Sequence, residues 1–78
     1  MQRQLELYLL AIGNNVRKAR DKQGVSQQEL ADNSDVAKST IQRIEKGEMN
    51  PTILTLSKIA ICLEIDLSEL TGKFPKIR

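Results

Sequence analysis

Lys38, Ser39, Gln42, Arg43 and Lys46 carry side chains whose types and spacing suit molecular recognition. At about 100° per residue, setting Lys38 at zero places the other four within about 140° of one helix surface. Ala37, Ile41 and Ile44 then fall inside about 60° on the opposite side. A narrow apolar edge against a core leaves a broad face of long donors pointing outward. Lysine and arginine can donate to the acceptors of guanine in a DNA groove, and serine and glutamine can bond base edges or phosphates. Plain solvation is the commoner use of such a face, so the elements around it must decide.

Those elements form a helix, a turn and a second helix between Gln23 and Gly47. Ser26 and Glu29 make a capping box, the serine side chain accepting from the glutamate amide while the carboxylate reaches back. One helix therefore starts at about Gln27, with Leu30 and Ala31 on its apolar face and Ala31 small enough for a close crossing. Asn33, Ser34 and Asp35 form a turn cluster, because short polar side chains satisfy local backbone groups. The second helix is expected over Lys38 to Lys46, closed by Gly47. Such a helix-turn-helix unit needs an outward recognition face, which favours DNA reading over solvation for the residues above.

Composition removes most other chemistries. The 78 residues include one cysteine and no histidine, so an intrachain disulfide is excluded and no zinc-ligand set is recognisable. Cys62 sits in an apolar helical stretch and reads as a small buried hydrophobe. With no thiol beside a base, no phosphate-cradling glycine loop and no carboxylate pair in a cleft, no enzyme, cofactor or metal is expected. The length suits one domain, and an aromatic content of 3% makes its core aliphatic. The net charge of +2 is only mildly basic, so its distribution matters more than its total. No secretory signal or membrane-length apolar run is present, and basic residues alternate with carboxylates. A cytoplasmic protein without a membrane role is expected.

In chain order, Met1 to Asp21 reads as one helix with a buried stripe of Leu5, Leu9, Ile12, Val16 and Ala19. Leu7 and Leu10 lie off it, suited to a partner, the C-terminal segment or ordinary packing. Gly24 turns the chain after this helix. Pro51 ends any continuation beyond Gly47, and Thr52 caps a helix running to about Leu63 with a stripe of Ile53, Leu56, Ile59, Ala60 and Leu63. Leu54 and Ile61 form a separate line on that helix, either a contact surface or ordinary exposed apolar residues. Asp66 with Glu69 begins a last short helix holding Leu67 and Leu70, ended by Gly72. The tail from Lys73 to Arg78 is basic and carries Phe74 and Ile77.

The series Val25-Ser26-Gln27-x-Glu29-Leu30-Ala31, Ser39-Thr40-Ile41-x-Arg43-Ile44-Glu45-x-Gly47 and Asn50-Pro51-Thr52 with Leu56-x-x-Ile59-Ala60 resembles the Cro and phage-repressor, XRE-like, helix-turn-helix family. The resemblance covers about residues 12–70 of a single domain, leaving residues 1–11 as a helical extension and 73–78 as the tail. It implies an all-α, compact five-helix bundle of the lambda-repressor type, the second and third helices forming the motif. Three positions depart from the pattern: Ala37 stands where a capping Ser or Thr is usual, and Asp35 and Glu64 stand where glycine is favoured.

By motif position, the resemblance assigns base reading to Lys38, Ser39 and Arg43, with Gln42 beside them. Arg17, Lys46, Asn50 and the start of the Gln27 helix, Ser26 and Gln28 included, are placed for phosphates. The alternative for each is a plain solvated residue, and for Asn50 a turn former before Pro51 is an equal reading. The family also pairs the positions of Arg20 and Glu45, which ties the first helix to the reading helix. It implies a homodimer built by the last helix and the tail after it, with Leu54, Ile61, Leu67, Leu70, Phe74 and Ile77 as interface candidates. The expected role is transcriptional control by a Cro-type repressor, a restriction-modification controller or an antitoxin, with RNA polymerase or a toxin as further partners. The alternative is a helical protein-interaction module that does not depend on DNA.

Overall fold

A computed structural model describes residues 2–72, which form five helices and no strand. They are α1 (Gln2–Lys22), α2 (Gln27–Ser34), α3 (Lys38–Glu45), α4 (Ile53–Leu63) and α5 (Ser68–Thr71). Helix α1, about 30 Å long at 1.5 Å per residue, packs against α3, α4 and α5, while α2 packs against α3 and α4.

Local chemistry starts and stops these helices. Ser26 caps α2 with the full reciprocal box: its Oγ accepts from the Glu29 amide at 3.0 Å and its own amide donates to Glu29 Oε1 at 3.0 Å. Thr52 caps α4 by accepting from the Thr55 amide at 3.1 Å. Helices α1, α3 and α4 end in the same paired bonds, the sixth residue's amide donating to the first residue's carbonyl and the fifth's to the second's: Val25 to Arg20 with Gly24 to Asp21, Glu48 to Arg43 with Gly47 to Ile44, and Ile65 to Ala60 with Glu64 to Ile61. The left-handed residue each turn requires is Gly24, Gly47 and Glu64. Asp35 takes the same conformation after α2, with φ 58°.

The core is aliphatic among the described residues: Val16, Leu30, Ala31, Val36, Ile41, Ile44, Leu56, Ile59, Ala60, Leu63 and Leu70 are buried. Leu30 from α2 and Ile41 and Ile44 from α3 lock the motif onto α1 and α4, so α3 keeps only its polar side free.

Several boundaries and faces differ from the sequence reading. Asn33 and Ser34 belong to α2, where Ser34 is buried and its Oγ donates to the Leu30 carbonyl; the turn is left to Asp35. Helix α3 ends at Glu45, and Lys46 is its cap. Ala37 is exposed at the start of α3 with no side-chain cap, and Val36 is buried in its place. Leu5 and Ile53 lie on the predicted inward stripes yet are exposed, each in the first turn of its helix. Leu67 precedes α5 rather than lying in it. Gly72 closes α5 in an extended conformation, with φ −88° and ψ 171°. Met1 and the tail, with Phe74 and Ile77, lie outside the described residues.

Candidate nucleic-acid interface

Helix α3 is short, so two turns carry the whole candidate reading face. Lys38, Ser39 and Arg43 are exposed on it, Gln42 is half-buried, and Lys46 is exposed just beyond its end. Ile41 and Ile44 are fully buried behind them, which fixes the direction the polar side chains take. Asn50 is exposed on the loop before α4.

Beside this face a shallow groove is lined by Arg17 and Arg20 from α1, Ser26 and Gln27 from the start of α2, and Gln42, Glu45 and Lys46 from α3 and its end. Arg17 and Lys46 bring two cations to it, and the uncapped amides of the α2 N-terminus face an anion favourably. The Ser26 hydroxyl already accepts inside the capping box. Gln28 is exposed and donates to Asp32 Oδ1 at 2.9 Å. The Glu29 carboxyl is held below its ordinary range by the Ser26 amide, then by the Ser26 hydroxyl.

Arg20 and Glu45 meet within the lining of this groove. Arg20 Nε donates to Glu45 Oε2 at 2.8 Å and Arg20 Nη2 to Oε1 at 3.0 Å. Both side chains are largely withdrawn from solvent, 13% and 5% exposed. The Glu45 hydrogen bond raises the Arg20 guanidinium above its usual range against the opposing effect of desolvation. Arg20 Nη1 also donates to the Val25 carbonyl at 2.9 Å, so one side chain ties α1 to the start of α2 and the end of α3. A buried pair of this kind gains geometry from its bidentate form while desolvation offsets much of its energy.

Two features were absent from the sequence reading. Gln27, read there only as a phosphate donor, donates from Nε2 to Glu45 Oε1 at 3.1 Å, a bond across eighteen positions that no local pattern signals. Gly13, buried in α1, lies under the last turn of α3; a lone glycine inside a helical pattern was the available signal.

The dimer candidates separate. Leu54 and Ile61 are 67% and 76% exposed on α4, and Leu67 is half-buried against the core. Leu70 is fully buried, so it is a core residue and not a candidate contact: Asn15 Nδ2 donates to its carbonyl at 3.0 Å and holds α5 against α1. Phe74 and Ile77 are outside the described residues. No group of three His, Cys, Asp or Glu able to hold a metal occurs among the described residues, and no described helix is long and apolar enough to cross a membrane.

Residues 16–70 match a helix-turn-helix family model. The HTH-type transcriptional regulator SlrR of Bacillus subtilis (strain 168) is 40% identical over 60 residues, covering 76% of this chain and 40% of SlrR. The chain thus spans two fifths of that relative. An uncharacterised HTH-type transcriptional regulator of Sinorhizobium fredii, y4dJ, is 30% identical over 59 residues, covering 76% of this chain and 77% of y4dJ. Among solved structures, the restriction-modification controller protein C.AhdI from Aeromonas hydrophila superposes with a TM-score of 0.77 at 32% identity, over 80% of this chain and 94% of that one.

Proposed function

The chain belongs to the XRE-like, Cro/C1-type helix-turn-helix family of DNA-binding transcriptional regulators, which are not enzymes, and from that premise we propose that it works as a homodimer reading a palindromic operator through the major groove. The observation that carries this reading is the exposure of Lys38, Ser39 and Arg43 on α3, opposite the buried Ile41 and Ile44. Lys38 and Arg43 donate to guanine acceptors, and Ser39 and Gln42 bond base edges or the backbone beside them. Arg17, Lys46, Asn50 and the start of α2 with Ser26, Gln27 and Gln28 hold phosphates on the flanks, which fixes register without carrying sequence information. Arg20 and Glu45 set the angle of α3 against α1.

One domain of this size covers little DNA. Two, related by a two-fold axis, place their reading helices in successive major grooves about 34 Å apart. Leu54 and Ile61 on α4 are the described apolar residues that suit the contact between copies, with Leu67 at its edge. Regulation then comes from occupying a promoter, as in a repressor or a restriction-modification controller, in the cytoplasm. The same exposed pair on α4 favours the second reading, a helical protein-interaction module or antitoxin-like partner that does not depend on DNA binding.

The two are separated by Lys38→Ala and Arg43→Ala. Loss of a base contact costs about 1 to 3 kcal/mol and relaxes preference at one base pair, whereas loss of a phosphate contact weakens all sequences alike. Untouched preference in both variants contradicts the assignment of α3.

A further inference from the structure

Two lysines of α1 stand apart from the candidate DNA interface. Counted at about 100° per residue from Gly13, which abuts α3, Arg17 and Arg20 lie within about 40°, whereas Asn15, Lys18 and Lys22 lie about 140° to 200° round the helix. On that far side α1 and α5 flank an open-sided cavity of about 380 Å³, lined by Lys18, Ala19 and Lys22 and by Ser68, Glu69 and Gly72. Small-molecule sites run from about 300 to 1,000 Å³. Asn15 braces its edge: Nδ2 donates to the Leu70 carbonyl at 3.0 Å and to the Gly72 carbonyl at 3.4 Å. The charges here are unbalanced. Lys18 and Lys22 are exposed, one helical turn apart, and neither side chain has an ion-pair partner among the described residues. Glu69 lines the same cavity, but its Oε2 accepts from the Asp66 amide at 3.3 Å, which holds the carboxylate at the start of α5. Residues 73–78 include no Asp or Glu.

We propose that this cavity binds a small phosphate monoester carrying hydroxyl groups, with Lys18 and Lys22 on its phosphate and Ser68 and the free oxygen of Glu69 on its hydroxyls. A phosphate monoester carries about −1.5 to −2 charges at pH 7 and three acceptor oxygens, which matches two ammonium groups where a single carboxylate leaves one unmatched. Each ammonium has three donors on a flexible stem that swings to meet it. The free oxygen of Glu69 repels a second anion and accepts from a hydroxyl, while Ala19 and the lysine stems supply apolar surface. A duplex suits the place poorly. DNA needs donors spread along its backbone, and here they converge on one hollow on the side of α1 away from α3. The site stands whether or not α3 reads DNA, and its occupation leaves Arg17 and Lys46 free for a duplex.

The test follows the backbone amide signals of the isotope-labelled full chain by NMR as glycerophosphate is added at constant ionic strength, with inorganic phosphate, glycerol and a short duplex as separate comparators. The expected result is saturable shifts at Lys18, Ala19, Lys22, Ser68 and Gly72, with glycerophosphate bound about threefold or more tighter than inorganic phosphate. Binding should weaken about tenfold or more when Lys18→Gln and Lys22→Gln are combined. Lys58→Gln, which removes a lysine from α4, should change it by less than about twofold. Equal affinity for inorganic phosphate overturns the monoester and leaves a site for the free anion. Equal weakening in Lys58→Gln reduces the binding to general charge, and shifts confined to Arg17, Ser26, Gln27 and Lys46 move it to the groove beside α3; either overturns the proposal. So does the absence of saturable shifts at about 10 mM, and so does a duplex that shifts the same amides, which assigns the two lysines to a DNA backbone.

Discussion

Gly13 in α1 lies directly against the carbonyl of Ile44 in α3: a Cβ at Gly13 would overlap that oxygen and stand 2.9 Å from the carbonyl oxygen of Glu45. The obstacle is backbone, which cannot rotate away, so any side chain here pushes α3 off α1. Alanine is favoured over glycine in a helix interior by about 0.5 to 1 kcal/mol, while forcing an atom into a packed contact costs about 1 to 3 kcal/mol. The contact wins. Gly13→Ala is expected to destabilise the protein by about 1 to 2 kcal/mol and to lower melting by several degrees. A stabilised variant would show that α1 and α3 are not held this closely.

Acid is expected to weaken the start of α2. The folded-state pKa of Glu29 is depressed, first by the Ser26 amide and then by the Ser26 hydroxyl. A depressed carboxyl adds stability that is complete above its unfolded value, near 4.5, and is lost as pH falls through the lower folded value. Thermal melting measured from neutral pH down through the carboxylate range should show a smaller acid loss in Glu29→Gln than in the wild type. Identical pH profiles would mean that the capping box is not populated in solution.

Leu70 and Ile61 should answer opposite assays. Leu70 is 0% and Ile61 76% exposed. Leu70→Ala removes a fully buried side chain, and a loss of about 2 to 5 kcal/mol is expected in urea unfolding. Ile61→Ser should leave the unfolding of the isolated chain within about 0.5 kcal/mol while lowering the dimer fraction in sedimentation equilibrium. An unchanged dimer fraction would move the contact between copies off α4.

Features of the fold were legible in the sequence in proportion to how local they are. Ser26 with Glu29, and Thr52 before Ile53, act on backbone groups three residues away, so both helix starts were readable. Periodicity says which line of a helix faces inward and nothing about where its neighbours end. Leu5 and Ile53, in the first turns of their helices, lie on the inward line by periodicity and are exposed. Extending the α3 helical wheel back one residue before its first turn likewise gave Ala37 the place that Val36 occupies. The bonds of Gln27 to Glu45 and of Asn15 to Leu70 join residues far apart in the chain, and only tertiary packing brings them together. The pairing of Arg20 with Glu45 is equally long-range, and it was accessible solely because a known family pattern carries it. The left-handed helix end at Glu64 was accessible in the same way, since the pattern favours glycine there.

The central claim, that α3 reads DNA sequence, is tested most directly by selection from random duplex DNA with the wild-type protein, and then by affinity against salt for the enriched duplex and an unrelated one. The account predicts an enriched inverted repeat with half-site centres about 10 base pairs apart, tighter binding to it than to the unrelated duplex at every salt concentration, and affinity for both falling as salt rises. No enrichment, with equal and weak binding to both duplexes, would contradict it and leave the exposed apolar residues of α4 as a surface for a protein partner.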